Sequence, residues 1–320
     1  MKTIESLPGA EPRRTRRRSG LRAATFVLLF ALLLQAACTR EPGGGAVSPA
    51  PPSSGQTPRR IVAFTCSAVD VINVLGLLDR VIAVEEDCPA PGTEHAIKIR
   101  NDDHPGQVHI VQVESIMALH PDLVIVKDDL KEAFEGRGMR MLWSPAVMTM
   151  DTLPAFVREI ARTLGVPERG EAALEKMRTI EAELRARTAS LRKVRVYYEN
   201  NGVGRTAGRG TITDSMITLA GGANIAGDDT RPNVRLNPEA VLAADPEVII
   251  LGTWAPPTEE VVARPGWDRM SAVRNGRVHR IPEERRYGTF GSPRCVEVCR
   301  DMYLPWIHPE LSAAPAKEAR

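Results

Sequence analysis

The chain has 320 residues, longer than a single typical domain, and its length predicts about two. Hydrophobic residues make up 43% and charged residues 26%, enough apolar surface for a real core; aromatics are only 4%, so the position of each carries information. The net charge of +2 rests on the cluster Arg13, Arg14, Arg16, Arg17, Arg18 and Arg22; without it the chain is mildly acidic, which excludes a charge-driven nucleic-acid partner.

In chain order, that cluster precedes an apolar run from Ala23 to Leu34 and then Gln35-Ala36-Ala37-Cys38. A basic start, an apolar stretch of about 12 residues and small residues before a cut site predict a secretory signal; a membrane span needs about 20. The cysteine after two alanines resembles a bacterial lipobox, with Gln35 as the departure, and implies lipidation at Cys38 after cleavage. The alternative is ordinary signal cleavage with Cys38 a free thiol. From Thr39 to Arg59 the chain is Pro, Gly and Ser with almost no large apolar residue, which predicts a flexible tether.

The folded part opens on Ile61–Phe64 as a buried strand; Ser67, with Asp70 three residues on, predicts the N-cap of a helix running to Leu75, and Val81–Val84 is the next strand. Strand, helix and strand in this order predict a parallel sheet. The segment Glu114–Val126 then returns as Glu239–Leu251: in each copy a short helix, a Pro-acid turn and a buried strand. Each copy follows a strand that opens its half, Ile61–Phe64 or Val194–Tyr198, so the chain is read as α/β with two Rossmann-like lobes. Apolar residues at helical spacing through Leu174, Met177, Ile180 and Leu184 predict one long helix from about Pro167 to Ser190, a stiff joint that leaves a ligand cleft between the lobes. The boundaries that follow are 1–38 signal, 39–59 tether, 60–150 first lobe, 151–192 interlobe helical segment, 193–312 second lobe and 313–320 disordered tail.

The segments Arg60–Ala63, Leu75–Val81, the two Glu-containing repeats, Leu219–Asn224, Arg264–Trp267, Ala272–Val278 and Ile307–Glu310 together resemble the helix-hinged periplasmic binding proteins that serve ABC importers of cobalamin, iron-siderophores, haem and molybdate. The resemblance runs from Arg60 to about Leu311. It implies docking to a permease/ATPase complex through one surface Glu per lobe, here Glu114 and Glu239. Each is also a first-turn helix acid, favoured there by the helix dipole. It further implies a lipid-anchored extracytoplasmic protein, monomeric, whose cargo is a metal-chelate small molecule and which carries no cofactor of its own.

Loops at the strand ends supply the ligand-binding candidates Cys66, Ser67, Trp143, Tyr198, Arg205, Trp254, Arg286 and Tyr287: aromatic faces for a flat chelate, guanidinium groups for its carboxylates or phosphates. The Gly202-x-Gly204 loop places its third glycine, Gly208, one residue late for a phosphate-binding turn, so it reads as a closely approached cleft loop. Cys66, Cys88, Cys295 and Cys299 allow three readings: a soft-metal site, disulfide bonding (Cys66 with Cys88 being the reasonable pair), or inert core thiols. His104, His109, His120 and His308 form no ligand motif, which disfavours a bare zinc or manganese carrier. Gly-x-Ser-x-Gly and His-Glu-x-x-His are absent, so no enzyme is expected. The expected function is capture of a corrinoid or an iron-siderophore or haem in the interlobe cleft and delivery to a permease; the alternative is a cysteine-based metal or metal-cluster binding or assembly protein of the cell envelope.

Overall fold

The computed structural model describes residues 56–88, 91–99 and 113–311, all within one compact unit, residues 49–320. The signal segment, Cys38, most of the tether, His104, His109 and the tail beyond Leu311 lie outside the described residues.

The first half of this unit runs β1 (Ile61–Ala63), α1 (Cys66–Val74), β2 (Val81–Glu85), β3 (Ile97–Ile99), α2 (Val113–Ala118), β4 (Leu123–Lys127), α3 (Lys131–Phe134) and β5 (Met141–Ser144). Its strands form one parallel sheet in the order β3-β2-β1-β4-β5. A sheet buried on both faces needs unbroken apolar strands, and β1 shows why. Ile61 and Ala63 enter the main core while Val62 and Phe64 enter a second cluster with Val124 and Val126 on the opposite face. Helix α1 starts earlier than the sequence suggests: Thr65 Oγ1 accepts from the Ala68 amide at 3.1 Å, so Thr65 is the cap and Ser67 is already helical.

Two helices join the halves, α4 (Leu153–Thr163) and α5 (Pro167–Thr188). Pro167 opens α5, where its missing N–H costs nothing. The buried stripe Leu174, Met177, Ile180 and Leu184 is the one the spacing predicts. Gly170 lets the two helices meet closely: a Cβ there would stand 2.6 Å from that of Ala161.

The second half runs β6 (Val194–Glu199), β7 (Arg205–Ala207), α6 (Ile212–Leu219), β8 (Gly222–Asn224), β9 (Asn233–Arg235), α7 (Pro238–Ala244), β10 (Val248–Leu251), α8 (Thr258–Val262), α9 (Ser271–Arg274) and β11 (Val278–Arg280). It closes on α10 (Cys295–Val298), a π-helical stretch at Cys299–Tyr303, and α11 (Leu304–Ile307). Its parallel sheet has the order β11-β10-β6-β8, which repeats β5-β4-β1-β2 of the first. Strands β7 and β9 form a separate antiparallel pair.

The repeat in the sequence is a repeat in hydrogen bonding. Asp122 Oδ2 accepts from the Arg60 amide at 3.0 Å and Glu247 Oε2 from the Arg195 amide at 3.1 Å. The Arg60 guanidinium donates to the carbonyls of Leu119 and His120, and that of Arg195 to the carbonyls of Ala244 and Asp245. His120 and Asp245, which differ chemically, are the two non-glycine residues with positive φ among those described, at 46° and 41°. Each turns the chain out of its helix and into the strand.

Candidate functional site

The strands of both sheets end on one cleft of about 1020 Å³. From the first lobe come Thr65, Cys66 and Ser67 after β1, Asp87 and Cys88 after β2, Lys127 at the end of β4, and Ser144 through Met148 after β5. From the second come Tyr198, Asn200 and Asn201 at the end of β6, Trp254 after β10, the β7/β9 pair, and Thr289 and Phe290. Crevices at the carboxyl ends of parallel strands are where such sheets bind ligands, because loops there are free to vary while the strands stay fixed.

Five of the eight ligand-binding candidates line this cleft: Cys66, Ser67, Tyr198, Arg205 and Trp254. Trp254 is 42% exposed and lies 5.3 Å from the Phe290 ring. Burial raises the Tyr198 phenol above its ordinary value, so it stays neutral, and its hydroxyl donates to Asn200 Oδ1 at 3.3 Å. Two of the exposed large apolar side chains, Val147 and Trp254, lie in this cleft, one on each wall.

The other three candidates lie elsewhere. Side chains alternate along a strand, so Ser144 faces the cleft while its neighbour Trp143 packs against the outer cluster of the first sheet. Tyr287 is buried in the main core. Arg286, also buried, pairs with Glu283 and donates to the Asp87 carbonyl, so it braces the first-lobe loop from behind. Ser67 donates to the Phe290 carbonyl, a second tie from the same segment to the first lobe. Sequence reading missed Arg235, Met148 and Phe290 as lining residues. The Pro232-Asn233 turn signal before β9 was the available clue to the first.

The cysteines divide. Cys66 and Cys88 form a disulfide that joins the two first-lobe loops across the cleft wall, Cα to Cα 5.1 Å. Cys295 and Cys299 are buried in the main core, away from the cleft. Cys299 Sγ meets the Met216 carbonyl oxygen at 3.3 Å, and Cys295 Sγ stands 3.7 Å from Met150 Sδ. Burial pushes the Cys295 thiol up to about 12 and that of Cys299 well above its ordinary value. Of the three readings open for Cys66, Cys88, Cys295 and Cys299, the structure has the disulfide for the first two and buried core thiols for the other two, and it does not group the four as a shared metal site. Among the described residues no group of three or more His, Cys, Asp or Glu is placed to hold a metal ion.

Behind the second-lobe wall lies a buried ion pair. Arg264 grips Glu199 through two bonds of 2.7 Å and lies over the Trp267 ring at 4.6 Å. Tyr197 donates to Glu199 at 2.8 Å and accepts from the Gly204 amide at 3.0 Å. Gly204 must be glycine: at φ +76° a Cβ would lie 1.8 Å from the Leu236 carbonyl oxygen. Gly204, and Gly208 beside the Asp229 and Arg231 carbonyls, thus serve a close backbone approach.

The sequence profile described as "Periplasmic binding protein" matches residues 61–285. The chain belongs to that family, in its helix-hinged form, and is a binding protein, not an enzyme. A vitamin B12-binding protein of Salmonella typhimurium is 29% identical over 148 residues, 44% of this chain. The chain spans about half the length of this curated relative, 55%. Two solved structures share the fold. The periplasmic vitamin B12-binding protein of Vibrio cholerae has a TM-score of 0.62 at 23% identity, over 79% of this chain and 98% of that one. A periplasmic haem-binding protein of Roseiflexus has a TM-score of 0.66 at 24% identity, over 78% and 98%.

Proposed function

We propose that this protein captures a metal-chelate nutrient, a corrinoid in the first place and a haem or iron-siderophore otherwise, and delivers it to an ABC permease and its ATPase. The supporting observation is the cleft itself. Its volume of about 1020 Å³ stands at the top of the usual range for small-molecule sites. Its lining combines aromatic rings (Tyr198, Trp254, Phe290) with amides, hydroxyls and guanidinium groups rather than grouped metal ligands. Such a surface suits a cargo that arrives already chelated, with flat apolar area and polar substituents. The relatives named as vitamin B12-binding favour the corrinoid.

Glu114 and Glu239 serve as the permease contacts in this reading. Both stand in the first turn of equivalent helices, α2 and α7, and both are exposed. Cys38, outside the described residues, is the lipid anchor that holds the protein at the extracytoplasmic membrane face. The rival reading, a cysteine-based metal protein, loses its cluster to the disulfide and the buried thiols.

The test is titration of a soluble form from Thr57 onward with cobalamin, cobinamide, haem and ferric hydroxamates, followed by tryptophan fluorescence and visible absorption. Saturable submicromolar binding of one of them, quenching Trp254, is the expected result. Binding of none would end the metal-chelate reading.

A further inference from the structure

The cleft carries a charge asymmetry that its general shape does not require. Lys127, Arg205 and Arg235 line it, and no ion pair or side-chain hydrogen bond engages any of the three among the described residues. Its two acidic lining residues, Glu85 and Asp87, both belong to the first-lobe wall beside the disulfide. The described lining residues of the second-lobe wall include arginine but no carboxylate.

The two arginines are placed by secondary structure. Arg205 and Arg235 are direct partners in the antiparallel β7/β9 pair, with Thr206 opposite Val234 next to them. Directly opposed residues share a face, with Cβ atoms about 5 Å apart. Thr206 and Val234 are buried on one face, which leaves Arg205 and Arg235 together on the other, both exposed, and all four residues line the cleft. The pair is held firmly: the Leu236 amide donates to the Gly204 carbonyl at 2.9 Å, and Gly204 is itself tied to Tyr197. Like charges set opposite one another destabilise a two-stranded ribbon. Two other exposed arginines near this ribbon do have acidic partners: Arg231 has Asp229 and Arg209 has Asp228. A fixed, uncompensated guanidinium pair in a ligand cleft is built for an anion, since each can donate two parallel hydrogen bonds to oxygen.

We infer that Arg205 and Arg235 form an anion subsite that takes a phosphodiester or carboxylate group of the cargo and fixes which side of it faces the second lobe. The inference rests on the metal-chelate reading above and adds to it the charge and orientation of the cargo. A corrinoid with its nucleotide phosphate intact, or a haem with free propionates, is then preferred over the same macrocycle without the anionic group.

The experiment compares wild type with the double variant Arg205→Gln/Arg235→Gln, and with Arg269→Gln as a charge control on an exposed site outside the cleft lining. Two probe pairs separate the sources of the anion: cobalamin against cobinamide, which lacks the phosphodiester, and haem against its dimethyl ester. In one pair, wild type and Arg269→Gln should bind the member that carries the anionic group roughly ten- to a hundredfold more tightly than the member that lacks it, less so at high salt. The double variant should bind both members with the weaker affinity. Its melting temperature without cargo should hold or rise, because a like-charge contact has been removed. Equal binding within both pairs in wild type overturns the subsite and leaves the cargo reading standing, as does a preference that survives in the double variant. Failure of wild type to bind any of the four overturns the subsite, and it removes the cargo reading as well if the ferric hydroxamates also fail to bind.

Discussion

At the scale of single residues, the buried charges decide most. Glu199 is fully buried and Arg264 nearly so, and each is tolerable only because the other is present. Arg264→Ala should therefore lower unfolding free energy by about 3–5 kcal/mol in a urea melt. A loss below about 1 kcal/mol would mean that water reaches Glu199. Arg264 lies in a segment that carries the family resemblance, but nothing in the sequence joins it to Glu199, 65 residues away. Asp70 is a different case. Burial pushes its carboxyl above the ordinary 3.8, outweighing the opposite pull of Arg294 at 3.3 Å and of the Ser292 hydroxyl. Between the ordinary and the raised value the folded chain holds a proton that the unfolded chain has released. The contribution to stability is thus full below pH 3.8 and is lost as pH rises through the raised value. Relative to Asp70→Asn, wild type should gain stability as pH falls from neutrality toward 4. Parallel melts of the two proteins across that range are the check, and a constant difference would show that the carboxyl does not titrate in the window.

At the scale of elements, the repeat was legible because its signal is local: apolar strands, a proline-acid turn and a helix of fixed length in the same order twice. The long helix α5 was legible for the same reason, through its apolar spacing. The β7/β9 pair was not. Its strands are three residues each and separated by a helix and another strand, so no turn signal links them, and Arg235 was missed with them. Trp143 was misplaced because strand ends show which residues are near the cleft, while the alternation that turns a side chain away depends on register. The repeat also yields a contrast between its copies. His120 is exposed and makes the left-handed turn with no side-chain bond among the described residues to repay it. Asp245 makes the same turn but accepts from the Ser271 amide and hydroxyl, both at 2.7 Å, and so holds the start of α9. Glycine should act oppositely at the two sites: His120→Gly should raise stability by up to about 1 kcal/mol, and Asp245→Gly should lower it by about 1 kcal/mol. Thermal melts that moved in the same direction would show that the Ser271 bonds of Asp245 do not set the two turns apart.

At the scale of the molecule, one core cluster runs through β1, α1, α4, α5, β6 and α10, so the two sheets share an interior. Two acidic knobs related by the repeat would present matching charges to a two-fold permease. Glu114 has a loose contact with Arg137, at 3.6 Å. Rim charges chiefly set encounter rate and register. Glu114→Arg/Glu239→Arg should therefore weaken stimulation of the permease ATPase at least about tenfold while leaving cargo affinity unchanged. Loss of cargo binding in that variant would place the two residues in the site rather than at the docking face. The shared core also limits how the lobes respond to cargo. Helix α5, about 33 Å long by its rise, packs on α4 on one side and on α6 and α10 on the other. Ser292 and Arg294 reach Asp70, Arg286 reaches the Asp87 carbonyl, and Ser67 reaches the Phe290 carbonyl, so the back of the cleft is stitched to both lobes. Wide hinge closure would have to break these buried polar ties and shear a packed core, whereas seating a cargo between preformed walls requires only side-chain and loop adjustment. Small-angle scattering with and without saturating cargo should show the radius of gyration changing by less than about 1 Å. A contraction of several ångströms would mean that the stitched segment opens, and would move the discrimination between empty and loaded protein from the local surface around the cleft to the angle between the lobes.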